Sequence, residues 1–446
     1  MLRPATRFAV LLAAWWAHAA VAQVPGADQV RAVTLDNGMQ VIVWPDHDIP
    51  NVALYNWVRV GSRNEVPGIT GLAHFFEHMM FNGTTTRAPG EFDRVLEANG
   101  ARNNAFTSQD VTVYQDWLPR TALETVFELE ADRLRNLSFD PQVVESERGV
   151  VRSERRLSVD DNHARRLSEQ VQATAFLAHP YGMPVIGWPS DIESWRIADL
   201  EQFFAKYYAP NNCTLVIVGA VDPEEALALA RKHFGPIARQ TPPEPIRTRE
   251  PPQRGERRVH VAIDAQTPLL QVAYHGIAGA DPRAPALELL MRILTDGDAS
   301  RLHRRLVEEQ RLAISVDGYA DEGFDPGLVW FFLSLPAQGD LATAEAALTR
   351  ELAGVVREGV SAAELSRARN QALADFWRGL ATIDGKAAAL GEYAVLKGGY
   401  EKLFDAPAKY QAVTLDDIKQ VAADLLDPTR RTVGTLGGRG SAEEAS

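Results

Sequence analysis

His74, Glu77 and His78 stand together inside an otherwise apolar run, Gly71-Leu72-Ala73-His74-Phe75-Phe76-Glu77-His78-Met79-Met80. On a helix, at about 100° per residue, the two histidines lie one turn apart with the glutamate beside them. Two imidazoles at that spacing can ligate one zinc ion, and the adjacent carboxylate can take a proton from a water activated there. The order H-x-x-E-H inverts the commoner H-E-x-x-H. The competing reading is a pair of partly satisfied core histidines on an amphipathic helix, because a pentapeptide alone carries a false-positive risk. Cys213 is the only cysteine, which excludes an internal disulfide and a thiolate cage. Any zinc must therefore be held by histidine and carboxylate.

Two histidines make a poor zinc site, so a third donor has to come from another element. Asp140-Pro141 opens a polar helix predicted to run from Pro141 to about Phe176, with proline in its first turn. Within it Glu147 and Glu154 are seven residues apart and share a face. Carboxylates there ordinarily form a solvated face with i, i+4 ion pairs. The incomplete histidine pair suggests another use, a His₂Glu set with the fourth position open.

The elements that must position these residues follow from pattern. Val30 to Trp44 alternates around Asp36-Asn37-Gly38, a hairpin, and Val52 to Val60 predicts a third strand. Gly68 to Gly71 breaks the chain before the motif helix, with Thr70 as its expected N-cap, and Asn82-Gly83 closes it. A helix from Glu91 to Asn99, two strands within Ala101 to Asp116 and a helix from Thr121 to Leu137 come next. Beyond the long helix lie a helix from Asp199 to Tyr208, a buried strand from Thr214 to Val218 and a helix from Pro223 to Phe234. Residues 239–257 (RQTPPEPIRTREPPQRGER) have linker composition.

The order of elements then returns. His260 to Ile263 and Leu270 to Tyr274 predict strands, and a helix from Pro285 to Thr295 stands where the histidine helix stood. Thr414 to Leu426, Asp427-Pro428 and Thr432 to Leu436 echo Ala198 to Tyr208, Ala209-Pro210 and Thr214 to Val218. This predicts two similar α/β halves, 23–238 and 258–446, the second without histidine ligands.

With 446 residues, 46% hydrophobic and 24% charged, the chain is long enough for two cores. A net charge of −13 argues against nucleic acid and anionic membrane as partners. Arg3 and Arg7, the apolar run Phe8 to Trp16 and Ala20-Val21-Ala22 predict a secretory leader over residues 1–22, with a retained anchor as the alternative. The expected location is outside the cytoplasm, in the periplasm, with no membrane attachment after cleavage.

With motif, spacing and duplication together, the chain resembles the pitrilysin/insulinase family of zinc metallopeptidases. These are inverzincins, and the match is to the half-length type that includes the mitochondrial processing peptidase. In that family H-x-x-E-H is followed about 76 residues on by a ligand glutamate in E-R-x-V-V-x-x-E. Here Glu147-Arg148-Gly149-Val150-Val151-Arg152-Ser153-Glu154 matches, with Glu154 76 residues after His78. The resemblance implies an α+β fold of two homologous α/β-sandwich halves, mostly antiparallel sheet packed with helices. It implies Zn²⁺ held by His74, His78 and Glu154, with Glu77 as base and Glu147 as a carboxylate supporting a ligand. Gly100 to Thr107 resembles the family's substrate strand, which nominates Asn104, Ala105, Phe106 and Thr107 for an extended peptide.

One segment departs from the family. Complete members carry S-R-L-x-x-x-L-R-x-x-x-G-L-A-Y-S-V, whose arginine and tyrosine hold the substrate and the developing oxyanion. The corresponding run is Ser300 to Val316, and ungapped it puts Val307 and Ile314 at those two positions. Arg305, Arg311 and Tyr319 are nearby. The expectation is a zinc endopeptidase subunit for short or unfolded peptides, completed by a homologous partner chain in a heterodimer, or else a homodimer. The alternatives are a non-catalytic scaffold subunit with the same fold and a zinc hydrolase of non-peptide substrates.

Overall fold

In the computed structural model, which describes residues 24–263 and 265–437, β1 (Arg31–Thr34) and β2 (Gln40–Pro45) pair as the predicted hairpin. The leader read at residues 1–22 lies outside the described residues. Gly38, at φ 90°, supplies the left-handed turn that a residue with a Cβ resists. β3 (Asn51–Val58), β4 (Arg102–Thr107), β5 (Thr112–Pro119) and β6 (Cys213–Gly219) complete a sheet of order β1-β2-β6-β3-β5-β4. β7 (Arg257–Val261), β8 (Leu269–His275), β9 (Ser315–Glu322), β10 (Pro326–Ser334) and β11 (Arg431–Leu436) form a second, of order β7-β11-β8-β10-β9.

Without β1 the two orders are the same. In each half the first strand runs parallel to the last, and the remaining pairs are antiparallel. The duplication seen in the sequence is therefore a duplication of topology. The fold is the expected α+β arrangement of two mostly antiparallel sheets with helices. In both halves the third strand, β4 or β9, ends up at the sheet edge.

Both sheets are covered on both faces, which is why β3 and β6 read as nearly continuous apolar runs. One face of each packs on its own half's helices. The other is covered by a helix from the opposite half. Leu167, Val171 and Ala175 of helix His163–Ala175 pack against Ala273, Leu328, Trp330 and Leu436 of the second sheet. Reciprocally, Ile383, Ala387 and Leu390 of helix Ile383–Val395 pack against Trp44, Tyr55, Trp57 and Val218 of the first.

This exchange corrects the reading of one helix from Pro141 to Phe176. Helix Pro141–Arg155 stays with its own half; a widened turn, Arg156–Asp160, ends it, and Asn162 caps a new helix by accepting from Arg165 N at 3.0 Å. Two glycines make the crossovers fit. A Cβ at Gly391 would stand 2.0 Å from Trp57 Nε1, and one at Gly434 would stand 2.2 Å from Val171 Cγ2. Gly391→Ala is expected to lower stability by about 1–3 kcal/mol through overpacking, read as a shifted denaturation midpoint. An unchanged midpoint would mean that this helix is not seated on Trp57.

Residues 238–254 have no regular secondary structure, yet they are tied down. The Glu250 carboxylate accepts from the backbone N–H groups of Leu177, Ala178 and His179 at 2.8, 2.9 and 2.9 Å. Among the described residues no helix is long and apolar enough to cross a membrane.

Candidate active site

Helix Leu72–Met79 buries Leu72, Ala73, Phe75, Phe76 and Met79 in the first core. Amphipathicity alone then leaves His74, Glu77 and His78 on the remaining, half-buried face. Thr70 is not the cap expected from sequence. Its hydroxyl donates to Asp191 at 2.8 Å, and Glu65 accepts from the N–H groups at the helix start.

Helix Pro141–Arg155 lies against this face and brings Glu154 to the histidine pair. Glu154 Oε2 is 3.3 Å from His78 Nε2, and Oε1 is 3.6 Å from His74 Nε2. One ligand atom from each of the three residues lies within 4.8 Å of the other two. Ligands about 2.0–2.1 Å from a tetrahedral zinc stand roughly 3.3–3.4 Å apart, so both carboxylate–imidazole spacings fit that ion. The donor set, two imidazole nitrogens and a carboxylate, fits it too.

Glu147, on the same helix, does not join that set. Its Oε1 accepts from His78 Nδ1 at 2.8 Å, and its Oε2 accepts from the Asn82 side-chain amide at 2.8 Å. This contact fixes the tautomer and turns His78 Nε2 toward Glu154. Asn82, read from sequence only as a helix end, also donates to His78 O at 3.1 Å. The signal was its spacing, one turn after His78.

The electrostatics separate the two imidazoles. Burial and the neighbouring His78 push His74 down to about 4, so it stays in the neutral, ligating form. Burial also opposes a charge on His78, but hydrogen bonds to Glu147 and Glu154 outweigh it and raise this ring to about 9. Taking up a metal therefore costs His78 a proton. Glu154 and Glu147 are both held below the usual carboxylate range, chiefly by hydrogen bonds with His78. Burial raises Glu77, against the hydrogen bond from Thr107, in the direction a general base needs.

Thr107 belongs to the edge strand β4, and its hydroxyl donates to Glu77 Oε2 at 2.7 Å. With a side-chain period of two, Ala105 and Thr107 share the motif-helix side. Asn104 and Phe106 point the other way, with Phe106 edge-on to Trp57 at 6.2 Å. The four nominated residues thus divide. What they share is a backbone edge left unpaired among the described residues.

In the second half Arg311 is the only non-glycine residue among those described with a positive φ, 53°. The ungapped match to the family segment puts glycine, the residue that adopts this conformation most easily, at the same position. Val307 is half-buried against the second core and Ile314 is 58% exposed. Arg305 pairs with Glu309, and Tyr319 stacks on Phe332 at 5.5 Å along β9.

Such a fold, with its histidine pair and helix-borne carboxylate, defines the class as metallopeptidase-like, and comparison with known proteins supplies the family. The family model described as insulinase (peptidase family M16) matches residues 41–188, and the peptidase M16 inactive domain matches 194–372. The chain is 30% identical over 414 residues to the zinc protease PqqE of Helicobacter pylori, covering 90% of this chain and 91% of that one. It is 27% identical over 412 residues to a probable mitochondrial-processing peptidase subunit beta of Arabidopsis thaliana, covering 89% and 76%. A crystal structure of a protease from Helicobacter pylori superposes with a TM-score of 0.88 at 28% identity, over 92% and 99% of the chains. The chain belongs to the M16, or insulinase, family of metallopeptidases as a half-length member. The periplasmic protease PqqL of Escherichia coli shares the fold, with a TM-score of 0.75 at 22% identity, and this chain spans 48% of its length.

Proposed function

We propose that this chain is the zinc-bearing subunit of an exported endopeptidase that cleaves short or unfolded peptides. The observation that carries the reading is the convergence of His74, His78 and Glu154 within 4.8 Å of one another, with Glu77 beside them and hydrogen-bonded to the edge strand. His74, His78 and Glu154 would hold a zinc ion, which would supply Lewis acidity toward a peptide carbonyl and toward water. Glu77 accepts the proton of the attacking water and returns it to the leaving amine. The Thr107 hydroxyl holds one carboxylate oxygen of Glu77 and leaves the other for that transfer. The peptide adds to β4 as a further strand, so main-chain hydrogen bonds carry the affinity and favour unfolded substrates. Export rests on the leader pattern at residues 1–22.

The purified chain is expected to hold about one zinc, and His78→Ala to lose it, measured by elemental analysis after dialysis. Equal zinc in both chains would overturn the assignment. Val307 and Ile314 support a second part of the proposal, that a homologous partner completes the site.

A further inference from the structure

Glu65 takes no part in the chemistry proposed above, yet it is among the most deeply placed charged side chains beside the site, 3% exposed. Its two oxygens have separate targets. Oε2 accepts from Gly71 N and Oε1 from Ala73 N, each at 2.7 Å. These donors flank the first residue of helix Leu72–Met79, whose early N–H groups have no partner within the helix. Ala73 is followed directly by His74. Gly71 sits at φ 87°, packed so tightly on the Ile186-Gly187 backbone that a Cβ would stand 2.5 Å from Ile186 O. The helix start therefore has no freedom to find another cap.

The segment carrying Glu65 also holds the other side of the site. Ser62 N and Arg63 N donate to Ser108 O and Gln109 O at 3.2 and 2.9 Å, at the tip of the hairpin that follows Thr107. Arg63 pairs with Asp110 on that hairpin and with Asp325 of the second half at 2.8 and 2.5 Å. Residues 62–65 thus hold the metal helix with one end and the substrate hairpin with the other. Glu77 and Thr107, which must meet at 2.7 Å, lie on those two elements.

We infer that Glu65 is a positioning residue: its bidentate grip on Gly71 and Ala73 sets the height of the histidine helix against β4, and with it the alignment of His74, Glu77 and the bound peptide. This rests on the zinc peptidase reading. Gln in its place offers one acceptor and turns an N–H₂ toward a backbone N–H, while Asp keeps the carboxyl group but is one methylene too short for both contacts.

The test compares wild type, Glu65→Gln and Glu65→Asp with Val329→Ala, a fully buried site in the second sheet, as a control for plain loss of stability. The readouts are zinc content, the rate of zinc loss to EDTA, the visible spectrum of the cobalt-substituted chain, and KM and kcat with any partner present. Both Glu65 variants are expected to hold zinc at saturation and to lose it roughly 10–100 times faster than wild type. The cobalt bands should shift, and kcat should fall by roughly 10²-fold at nearly constant KM. Val329→Ala should melt lower and change none of these. If Glu65→Gln aggregates, Glu65→Asp decides. Zinc loss and cobalt spectra matching those of Val329→Ala would overturn the inference and leave the zinc reading standing. A wild-type chain that binds no zinc would overturn that reading itself, and this inference with it.

Discussion

Glu77→Gln is expected to keep about one zinc per chain and to lose roughly 10²–10⁴ of its peptide-cleaving rate, the usual contribution of a positioned general base. The substitution is nearly isosteric, and its carbonyl can still accept the Thr107 hydroxyl. Only the proton-accepting carboxylate disappears. Elemental analysis and hydrolysis of a quenched fluorescent peptide, both with any partner present, read the two halves of this expectation. Zinc lost together with activity would make Glu77 part of the metal cage. Undiminished turnover would remove it from the chemistry.

Chain purified alone should cleave poorly, and a homologous chain carrying the arginine and tyrosine should raise the rate by roughly 10²-fold or more. Removing one oxyanion-side donor commonly costs about 10²–10³ in rate, and here two positions are apolar. Neither Val307 nor Ile314 can hydrogen-bond a tetrahedral oxyanion. Mass in solution and cleavage rate, with and without the candidate partner, give the answer. A homodimer working through Tyr319, Arg305 or Arg311 would instead be active alone and weakened by Tyr319→Phe, Arg305→Ala or Arg311→Ala. Full activity from the lone chain, indifferent to a partner and to all three substitutions, would end both versions. Inactivity with every homologous partner, zinc notwithstanding, would favour the scaffold reading.

Much of this was legible one residue at a time, because it depends on local periodicity. A helix with apolar positions at 72, 73, 75, 76 and 79 has one face left, and that face is His74, Glu77 and His78. The hairpin at Asn37-Gly38 and the repeated order of elements are local in the same sense. The third carboxylate was harder to place. Glu147 and Glu154 share a helix face, and spacing alone gives them the same standing. Resemblance to the family separated them before the fold did. The structure then set Glu154 against both Nε2 atoms and Glu147 against His78 Nδ1.

The sequence by itself determined most elements of the first half, the echo of their order in the second and the residues capable of the chemistry, because these rest on local pattern. Tertiary structure decided the rest. The long helix divides after Asp160 because its second part must cover the other half's sheet, a demand that no local pattern between Pro141 and Phe176 expresses apart from the Asn162 cap. Thr70 lost its expected place at the helix start because Asp191, 121 residues away, takes its hydroxyl, leaving Glu65 to accept from the backbone. The other half's sheet and Asp191 are both distant in the chain from the residues they redirect, and only the folded structure brings them into contact.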